Sequence, residues 1–236
     1  MGRIWSVCSG SGGVGKTTIA LSIAAGAAKA GKKTILMDAS GYSRSCDLIL
    51  GLESVMTLDL LDVFSGQIEL NAALHPVPQY ENLYLTCASL CEPIPASDLV
   101  RSILALHSMC DILVVDMPAG QNMPGRGIMR AGDENLFVLR PDGSSVRAAE
   151  RMIAMQAGSP ASTSLILNRI GREKAKRKIQ FTKDTVQNLL DLPVLACIPD
   201  DPSIPECECH CRSAIECDGP AWTALSGLAK ALLGNA

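Results

Sequence analysis

Short apolar runs alternate with longer amphipathic segments along most of the chain. Runs of strand length rich in Ile, Leu and Val predict buried β-strands at residues 4–8, 34–37, 83–86, 111–115, 134–139, 164–167 and 194–198. Between them, apolar residues recur at a helical spacing, as Leu99, Ile103 and Leu106 do. This spacing predicts helices at residues 17–30, 58–64, 98–108, 145–156, 181–190 and 222–233.

The order of these elements predicts the fold class. Strands that alternate with helices pair in parallel through right-handed crossovers. The expected fold is therefore α/β, with a mostly parallel sheet and helices on both of its faces. The sequence has 236 residues, with no internal repeat and no low-complexity linker. We therefore expect one domain that covers residues 1–236.

Composition supports a large core and argues against nucleic acid as a partner. Apolar residues make up 47% of the chain, charged residues 19% and aromatic residues only 3%, so aliphatic side chains must do the packing. The net charge is −3, whereas a sequence-independent DNA-binding protein needs a basic excess. The dense basic run at residues 172–178 is interpreted as a solvated helix start or loop.

The sequence contains no signal for a membrane or for export. It has no run of about eighteen or more apolar residues, the length that a spanning helix needs. The N-terminus reads MGRIWSVCSG and leads directly into a predicted strand, without the apolar segment and cleavage site of a signal peptide. We therefore expect a cytoplasmic protein.

A glycine-rich segment joins the first predicted strand to the first predicted helix. It reads GSGGVGKT over residues 10–17 and satisfies the pattern G-x-x-x-x-G-K-[ST]. In such a loop backbone N–H groups converge on phosphate oxygens, helped by the N-terminal end of the helix. Lys16 is expected to reach the β- and γ-phosphates, and Thr17 to offer its hydroxyl to Mg²⁺. The predicted site for ATP or GTP consists of Gly10, Ser11, Gly12, Gly13, Val14, Gly15, Lys16, Thr17 and Thr18.

Two aspartates follow predicted strands and are candidates for the metal site. Asp38 comes after TILM and Asp116 after ILVV. In an open α/β sheet the ligand lies beyond the carboxyl ends of the strands, so both aspartates are expected near the Mg²⁺ that Thr17 contacts. The alternative for each is a helix-capping or turn aspartate.

Several segments together resemble the MinD/ParA group of P-loop ATPases, and its MinD branch in particular. They are SGSGGVGKTT, ILMDASGYSRSCDLILGLE, ILVVDMPAG, GSSVRAAERMIAM, LILNR and LPVLACIPDDPSI, in the family's order over nearly the whole chain. The resemblance implies an ATP-dependent homodimer with ATP held between the two subunits. Hydrolysis of the ATP lets the dimer come apart. Such switches position other assemblies, as in cell division, through a protein partner.

The resemblance also implies roles for particular residues. Lys16, Asp38 and Asp116 are the expected catalytic residues, and ATP and Mg²⁺ the expected cofactors. Asn168 is the expected adenine contact, and the loop after Pro199 is expected near the base.

The sequence departs from the family pattern at two catalytic positions. The family's loop reads KGGxGKT, with a lysine that reaches the partner's phosphates, and this chain has Ser11 there. The MinD pattern D-x-D has a second aspartate that positions the attacking water, and this chain has Ser40. A positive group in trans and a well-placed carboxylate each accelerate phosphoryl transfer. We therefore expect weak hydrolysis, or hydrolysis completed by a partner, unless a cation replaces the lysine in the folded dimer; the candidates are Arg3, Lys32, Arg44 and Arg126.

The C-terminal segment also differs from that of MinD proteins, which end in a basic amphipathic helix that docks on membranes. Here the last predicted helix leads to LLGNA, with Lys230 as the nearby cation. Because a membrane-surface helix needs a strongly apolar face opposite a face rich in cationic residues, this segment is interpreted as a core helix. No direct membrane anchor is expected.

The ten cysteines fall into two groups. Those beside apolar runs are interpreted as small core residues: Cys8, Cys46, Cys87, Cys110 and Cys197. The others cluster as CECHC, followed six residues later by Cys217. Thiolates bind Zn²⁺ and iron–sulfur clusters, but C-x-C-x-C fits a zinc site poorly. A surface loop with reduced thiols is preferred over a metal or redox role for Cys207, Cys209, Cys211 and Cys217.

Three functions are consistent with these features. The preferred hypothesis is a MinD/ParA-like ATP-binding switch with weak ATPase activity. The cysteine cluster would favour a maturation ATPase for a metallocluster or nickel, and Ser11 with Ser40 would favour a non-hydrolysing scaffold. Function depends on sites and not on fold, so the sequence leaves these alternatives open.

Overall fold

The structure is a computed structural model that describes residues 2–40, 44–88, 95–120, 123–171, 177 and 179–234. Within these residues, one eight-stranded sheet has the order β3-β4-β2-β5-β1-β6-β7-β8. All neighbouring strands pair in parallel except β3 and β4, which are antiparallel. The strands are β1 Arg3–Cys8, β2 Thr34–Asp38, β3 His75–Pro76, β4 Leu83–Cys87, β5 Ile112–Asp116, β6 Glu134–Leu139, β7 Ser162–Ile170 and β8 Val194–Pro199.

Helices connect most of the strands. They are α1 Lys16–Lys29, α2 Ser45–Leu50, α3 Leu60–Phe64, α4 Ala96–His107, α5 Met123–Ala131, α6 Gly143–Ala154, α7 Lys183–Leu190, α8 Ser203–Cys209 and α9 Pro220–Gly234. Two short 3₁₀ helices cover Leu70–Ala73 and Ala214–Glu216. None of the helices in the described part of the chain is long and apolar enough to cross a membrane.

The sheet separates two hydrophobic cores, because successive side chains of a strand point to opposite faces. In β5, Ile112 and Val114 belong to one core, whereas Leu113 and Val115 belong to the other. The first core contains residues of α1 and α9, and the second contains residues of α4, α5 and α6. This alternation confirms the predicted α/β fold with helices on both faces of the sheet.

The predicted strands and long helices are confirmed with shifts of a few residues at their ends. The stripe Leu99, Ile103 and Leu106 is buried, as expected of an amphipathic helix. The sequence analysis did not predict β3, α2, α5 or α8. Three of these span only two to seven residues, too short for a periodic pattern to be recognised. The basic run at 172–178, apart from Arg177, lies outside the described residues.

One expected core residue is not in the core. Cys8, Cys46 and Cys87 are buried as predicted and Cys110 is partly buried, but Cys197 is exposed. Cys197 belongs to β8, an edge strand of the sheet with several partly exposed positions. An edge strand is covered less completely than a central one, so its apolar positions need not be buried.

Candidate functional site

A cleft of about 690 Å³ opens at the carboxyl end of the central strands, where β1 leads into α1. Most of the glycine-rich loop lines this cleft, together with residues that follow β2 and β5 and residues of α2. The residues that line it are Ser9, Ser11, Gly12, Gly13, Val14, Gly15, Lys16, Thr17, Thr18, Ser40, Ser45, Ile49, Pro118, Ala119 and Arg169. The cleft therefore contains the predicted phosphate-binding residues, with the exception of Gly10.

Glycine occupies several positions of the loop, and the structural reason for it differs from one position to the next. Gly15 has a φ of 91°, a left-handed conformation that favours glycine, and a Cβ there would collide with the side-chain amide of Asn168. A Cβ at Gly12 or Gly13 would meet nothing within 4 Å, so their backbone faces the open cleft. Gly10 lies against the backbone of Ala148 in α6. Gly10 is thus explained by close packing rather than by contact with the cleft.

Lys16 and Thr17 begin α1 and both contact the carboxylate of Asp116 at the end of β5. Lys16 Nζ lies 2.5 Å from Asp116 Oδ1, and Thr17 Oγ1 donates a hydrogen bond to Asp116 Oδ2 at 2.7 Å. Asp116 is fully buried. Burial raises the pKa of this carboxyl group, and the ammonium of Lys16 opposes the rise. The structure thus brings Asp116 to Lys16 and Thr17, which stand 100 and 99 positions earlier in the sequence, and all three are predicted to act on Mg²⁺ or phosphate.

Asp38 lies beside Asp116, because β2 and β5 are neighbours and pair Asp38 with Asp116 in register. Its Oδ1 accepts hydrogen bonds from the backbone N–H and the hydroxyl of Ser40, at 2.9 and 2.5 Å. Its Oδ2 accepts from the backbone N–H of Cys46 at 3.2 Å. Ligand atoms of Asp38, Cys46 and Asp116 all lie within 4.8 Å of one another.

The residues at this end of the sheet fit a magnesium-bound phosphate. Two carboxylates and the Thr17 hydroxyl supply the hard oxygen ligands that Mg²⁺ prefers. Ser9 Oγ is buried at the cleft without a hydrogen-bond partner among the described residues. Such an orphaned hydroxyl is expected where a ligand completes the hydrogen bonding.

A second pocket of about 240 Å³ adjoins the cleft and shares Gly15, Thr18 and Arg169 with it. Asn168 and Pro199, the predicted base-side residues, both line it. Asn168 Nδ2 donates to the backbone carbonyl of Val14 at 2.8 Å, which attaches β7 to the loop. The phosphate-binding loop and the expected base pocket are therefore continuous.

None of the four cations considered as replacements for the missing lysine lines the cleft. Arg3 begins β1 and Lys32 precedes β2, so both lie at the opposite ends of these strands. Arg44 Nη2 pairs with Asp47 Oδ2 at 2.7 Å, and Arg126 Nη2 donates to the carbonyl of Met155. Within one subunit, none of these four residues places a positive charge in the cleft to replace the missing lysine.

Sequence reasoning missed Arg169 and Glu208. Arg169 is exposed and lines both the cleft and the base-side pocket. Arg169 directly follows Asn168, and its position next to a predicted base contact could have identified it as a site residue. Glu208 lines the base-side pocket and accepts a hydrogen bond from Thr18 Oγ1 at 2.6 Å. No local pattern connects two residues that stand 190 positions apart.

Cys207 and Cys209 lie on α8, Cys211 lies in the turn after it, and Cys217 follows the 3₁₀ helix Ala214–Glu216. The Cα atoms of Cys207 and Cys217 are 6.1 Å apart and their sulfur atoms are neighbours; the expectation that these thiols are reduced stays a prediction. Cys209 and Cys211 are free. Among the described residues, the cluster provides no three ligand atoms close enough to hold one metal ion.

The family profile of the CobQ/CobB/MinD/ParA nucleotide-binding domain matches residues 5–213. The chain belongs to this family. The septum site-determining protein MinD of Synechocystis is 33% identical over 208 residues, which cover 86% of this chain and 78% of the relative. The MinD/ParA family predicted from the sequence motifs is therefore confirmed.

Solved structures of MinD/ParA proteins agree with this assignment. The Aquifex aeolicus MinC:MinD cell division complex matches with a TM-score of 0.90 and 29% identity, covering 99% of this chain and 96% of that one. Pyrococcus horikoshii MinD in complex with Mg-ADP matches with a TM-score of 0.87 and 28% identity, covering 98% and 96%. The prediction of a nucleotide and Mg²⁺ as cofactors is confirmed for this family of ATPases. None of these three proteins is named for metallocluster or nickel maturation, and the comparisons do not favour the two alternative functions.

Proposed function

We propose that this protein is an ATP-dependent switch that forms a homodimer on Mg-ATP and positions another assembly through a protein partner, as in septum placement. It acts in the cytoplasm, as one nucleotide-binding domain over residues 1–236, and its net charge of −3 gives no reason to assign a nucleic-acid partner. The observation that carries the proposal is the contact of Lys16 and Thr17 with buried Asp116 beneath an open glycine loop.

The residues of the site take the following roles in this proposal. Lys16 leaves Asp116 for the β- and γ-phosphates when ATP enters, because a triphosphate offers the ammonium more negative charge than one carboxylate does. Thr17 then contacts Mg²⁺ directly, and Asp38 and Asp116 hold the ion or its water ligands. Asn168 and Pro199 face the base.

Hydrolysis in this proposal is weak, for reasons found at two positions. Ser11 lines the cleft but carries no charge with which to neutralise a partner subunit's phosphates. Ser40 Oγ donates to Asp38 Oδ1 at 2.5 Å, and a hydroxyl orients water less strongly than a carboxylate. The phosphate-binding loop is retained, whereas the lysine and the aspartate of the family pattern are replaced by Ser11 and Ser40. This combination supports a protein that binds ATP firmly and hydrolyses it slowly.

Dimer formation in this proposal follows from the shape of the cleft. Gly12 and Gly13 are exposed at its mouth, so phosphates bound there would be reached by solvent from one side. A second copy placed over the mouth would exclude that water and would bring a further set of groups to the phosphates. The complex of the Aquifex relative with MinC provides a precedent for a protein partner.

Equilibrium binding and sedimentation test the proposal together. Isothermal titration should give ATP binding that weakens when Mg²⁺ is chelated, and sedimentation velocity should show a dimer with Mg-ATP and a monomer with Mg-ADP. Thr17→Ala should remove most of the Mg²⁺ dependence, because the hydroxyl that contacts the ion is lost. Thr223→Ala, an exposed position on α9, is the matched control and should behave as the wild type. Absence of ATP binding by the wild type would refute the proposal.

A further inference from the structure

A glutamate of the short helix α8 contacts the last residue of the predicted phosphate-binding segment. Thr18 Oγ1 donates a hydrogen bond to Glu208 Oε1 at 2.6 Å. Thr18 lines both the phosphate cleft and the base-side pocket, whereas Glu208 lines the base-side pocket and not the cleft. The carboxylate therefore lies where the two pockets meet, on the base side of the phosphate loop.

The order of the groups along a nucleotide assigns this place to the sugar, because the sugar joins the phosphates to the base. The loop residues Gly15 and Thr18 mark the phosphate end of the base-side pocket. Asn168 and Pro199 mark its base end. Glu208 lines the same pocket and is bonded to Thr18 at the phosphate end. A nucleotide that extends through both pockets thus carries its sugar past this carboxylate.

The chemistry of a carboxylate suits the hydroxyl groups of a ribose. An ionised carboxylate accepts hydrogen bonds and donates none, and its two oxygens offer about four acceptor positions. The Thr18 hydroxyl takes up one of them, so the same carboxylate can accept further hydroxyl groups. Acidic side chains hold ribose hydroxyls in this way in dinucleotide-binding folds. Glu208 therefore fits the sugar better than the phosphates, which a negative charge repels.

Two other carboxylates line the base-side pocket, and their positions differ from that of Glu208. The oxygens of Asp201 accept hydrogen bonds from Ser203 and from the backbone N–H of Ala221. Asp201 therefore holds the start of α8 against the start of α9. Asp200 directly follows the last residue of β8, at the base end of the pocket. Glu208 is the carboxylate that is bonded to the phosphate loop.

The backbone around Glu208 is held in place after the end of α8 as well as at its start. The N–H of Arg212 donates to the carbonyl of Cys207 at 3.0 Å, in the turn that follows α8. The 3₁₀ helix after this turn has Ala214 and Ile215 buried in the core to which α1 contributes. The side chain of Glu208 is thus presented from a fixed segment, which lowers the entropy cost of binding a ligand there.

We propose that Glu208 is the sugar-recognition residue of the nucleotide site: its carboxylate accepts hydrogen bonds from the ribose hydroxyls, while Thr18 holds the carboxylate in place. The ligand class is therefore a nucleotide with free hydroxyl groups on its sugar. This inference rests on the proposed function, because it needs Mg-ATP to bind across the two pockets. It assigns a residue to the part of the nucleotide that lies between the phosphates and the base.

The test compares ATP with 2′,3′-dideoxy-ATP, which has the same base and triphosphate but no hydroxyl groups on its sugar. Isothermal titration of the full-length protein with Mg²⁺ present should give a dissociation constant about tenfold higher for the dideoxy nucleotide. This factor is the order expected from a hydrogen bond to a charged acceptor. Equal dissociation constants for the two nucleotides would overturn the assignment, and this comparison needs no variant.

Glu208→Met tests whether the carboxylate is responsible, since methionine keeps the length of the side chain but lacks a strong acceptor. The ratio of the two dissociation constants should fall below about twofold, because the hydrogen bonds to the sugar are lost. Glu208→Ala is a second variant with the same expected ratio. Glu206→Met changes an exposed glutamate of the same helix that does not line the pocket, and this matched control should keep the tenfold preference for ATP.

The ratio separates a contact with the sugar from a structural role of Glu208. A general disturbance of the pocket would weaken the binding of both nucleotides alike and leave the ratio at its wild-type value, which would overturn the assignment. If the wild type bound neither nucleotide, the proposed function would fail and this inference with it. That result is distinct from equal binding of both nucleotides, which would overturn the sugar contact alone.

Discussion

Lys16 Nζ and Asp116 Oδ1 lie 2.5 Å apart in a site from which solvent is almost excluded. The lysine begins α1 and the aspartate ends β5, so the pair joins the phosphate loop to the central strand beside it. Each charge is tolerated in the interior because the other is present. The same pair must separate when Lys16 turns to a phosphate, which connects the stability of the fold to occupancy of the site.

Lys16→Gln is expected to destabilise the protein and to abolish most of its ATP binding. Removing one partner of a buried pair leaves an uncompensated charge, and the free energy of unfolding should fall by about 3 kcal/mol. The affinity for Mg-ATP should fall by about 100-fold or more, since the loop loses its positive side chain. Urea denaturation and isothermal titration measure the two effects. Lys32→Gln, at an exposed position after α1, should change neither; unchanged urea denaturation of Lys16→Gln would contradict the prediction.

The pKa of Asp116 predicts how stability depends on pH. Burial raises this pKa above the ordinary value for aspartate, against the opposing effect of Lys16. Between the ordinary and the raised pKa, the folded protein holds a proton that the unfolded chain lacks, so this group stabilises the fold more as the pH falls. Its contribution is lost as the pH rises through the raised pKa, at about 1.4 kcal/mol per pH unit between the two pKa values.

Unfolding of the wild type and of Asp116→Asn at a series of pH values measures this contribution. The wild type should gain stability relative to the variant as the pH is lowered, because asparagine does not titrate. The opposite trend would mean that the ion pair with Lys16, and not burial, determines the pKa of Asp116.

The parts of the site that the sequence predicted are those encoded by local pattern. Loop spacing identified Lys16 and Thr17, and apolar runs of strand length placed Asp38 and Asp116 at the carboxyl ends of two strands. Parallel pairing then brought these residues together without any further information. The fold could be predicted for the same reason, since alternation of strands and helices permits few topologies.

The parts that were missed depend on contacts between distant short segments. The hydrogen bond from Thr18 to Glu208 links α1 to α8, a helix of seven residues without a recognisable periodic pattern. The position of Cys46 beside two aspartates likewise depends on α2, a helix of six residues. Local propensity does not determine where such segments pack, because tertiary contacts outweigh it.

Gly10→Ala is expected to destabilise the protein, whereas Gly12→Ala is not. A Cβ at residue 10 would overlap the backbone of Ala148, which cannot move without shifting α6, at a cost of about 1–3 kcal/mol. A Cβ at residue 12 meets nothing within 4 Å, and exposed changes of this kind stay within about 0.5 kcal/mol. Thermal or urea denaturation of the two variants provides a matched comparison within one loop. Equal stability of both would show that the loop and α6 can separate freely.

The slow hydrolysis proposed for this protein is attributed to Ser11 and Ser40, which both line the cleft. A lysine at residue 11 would add positive charge at the mouth of the cleft, where a second subunit is proposed to bind. An aspartate at residue 40 would place a carboxylate next to Asp38, whose Oδ1 now accepts the Ser40 hydroxyl. The two substitutions act on different steps, charge neutralisation and orientation of water, so their effects should combine.

The double variant Ser11→Lys, Ser40→Asp is therefore expected to release phosphate from saturating Mg-ATP about 100-fold faster than the wild type. Each single variant should give a smaller increase. Ser108→Lys with Ser65→Asp makes the same two chemical changes at exposed positions away from the cleft and should leave the rate as it is. Equal rates for the wild type and the Ser11→Lys, Ser40→Asp variant would contradict this explanation, because the slow rate of hydrolysis would then have a cause other than the two serines.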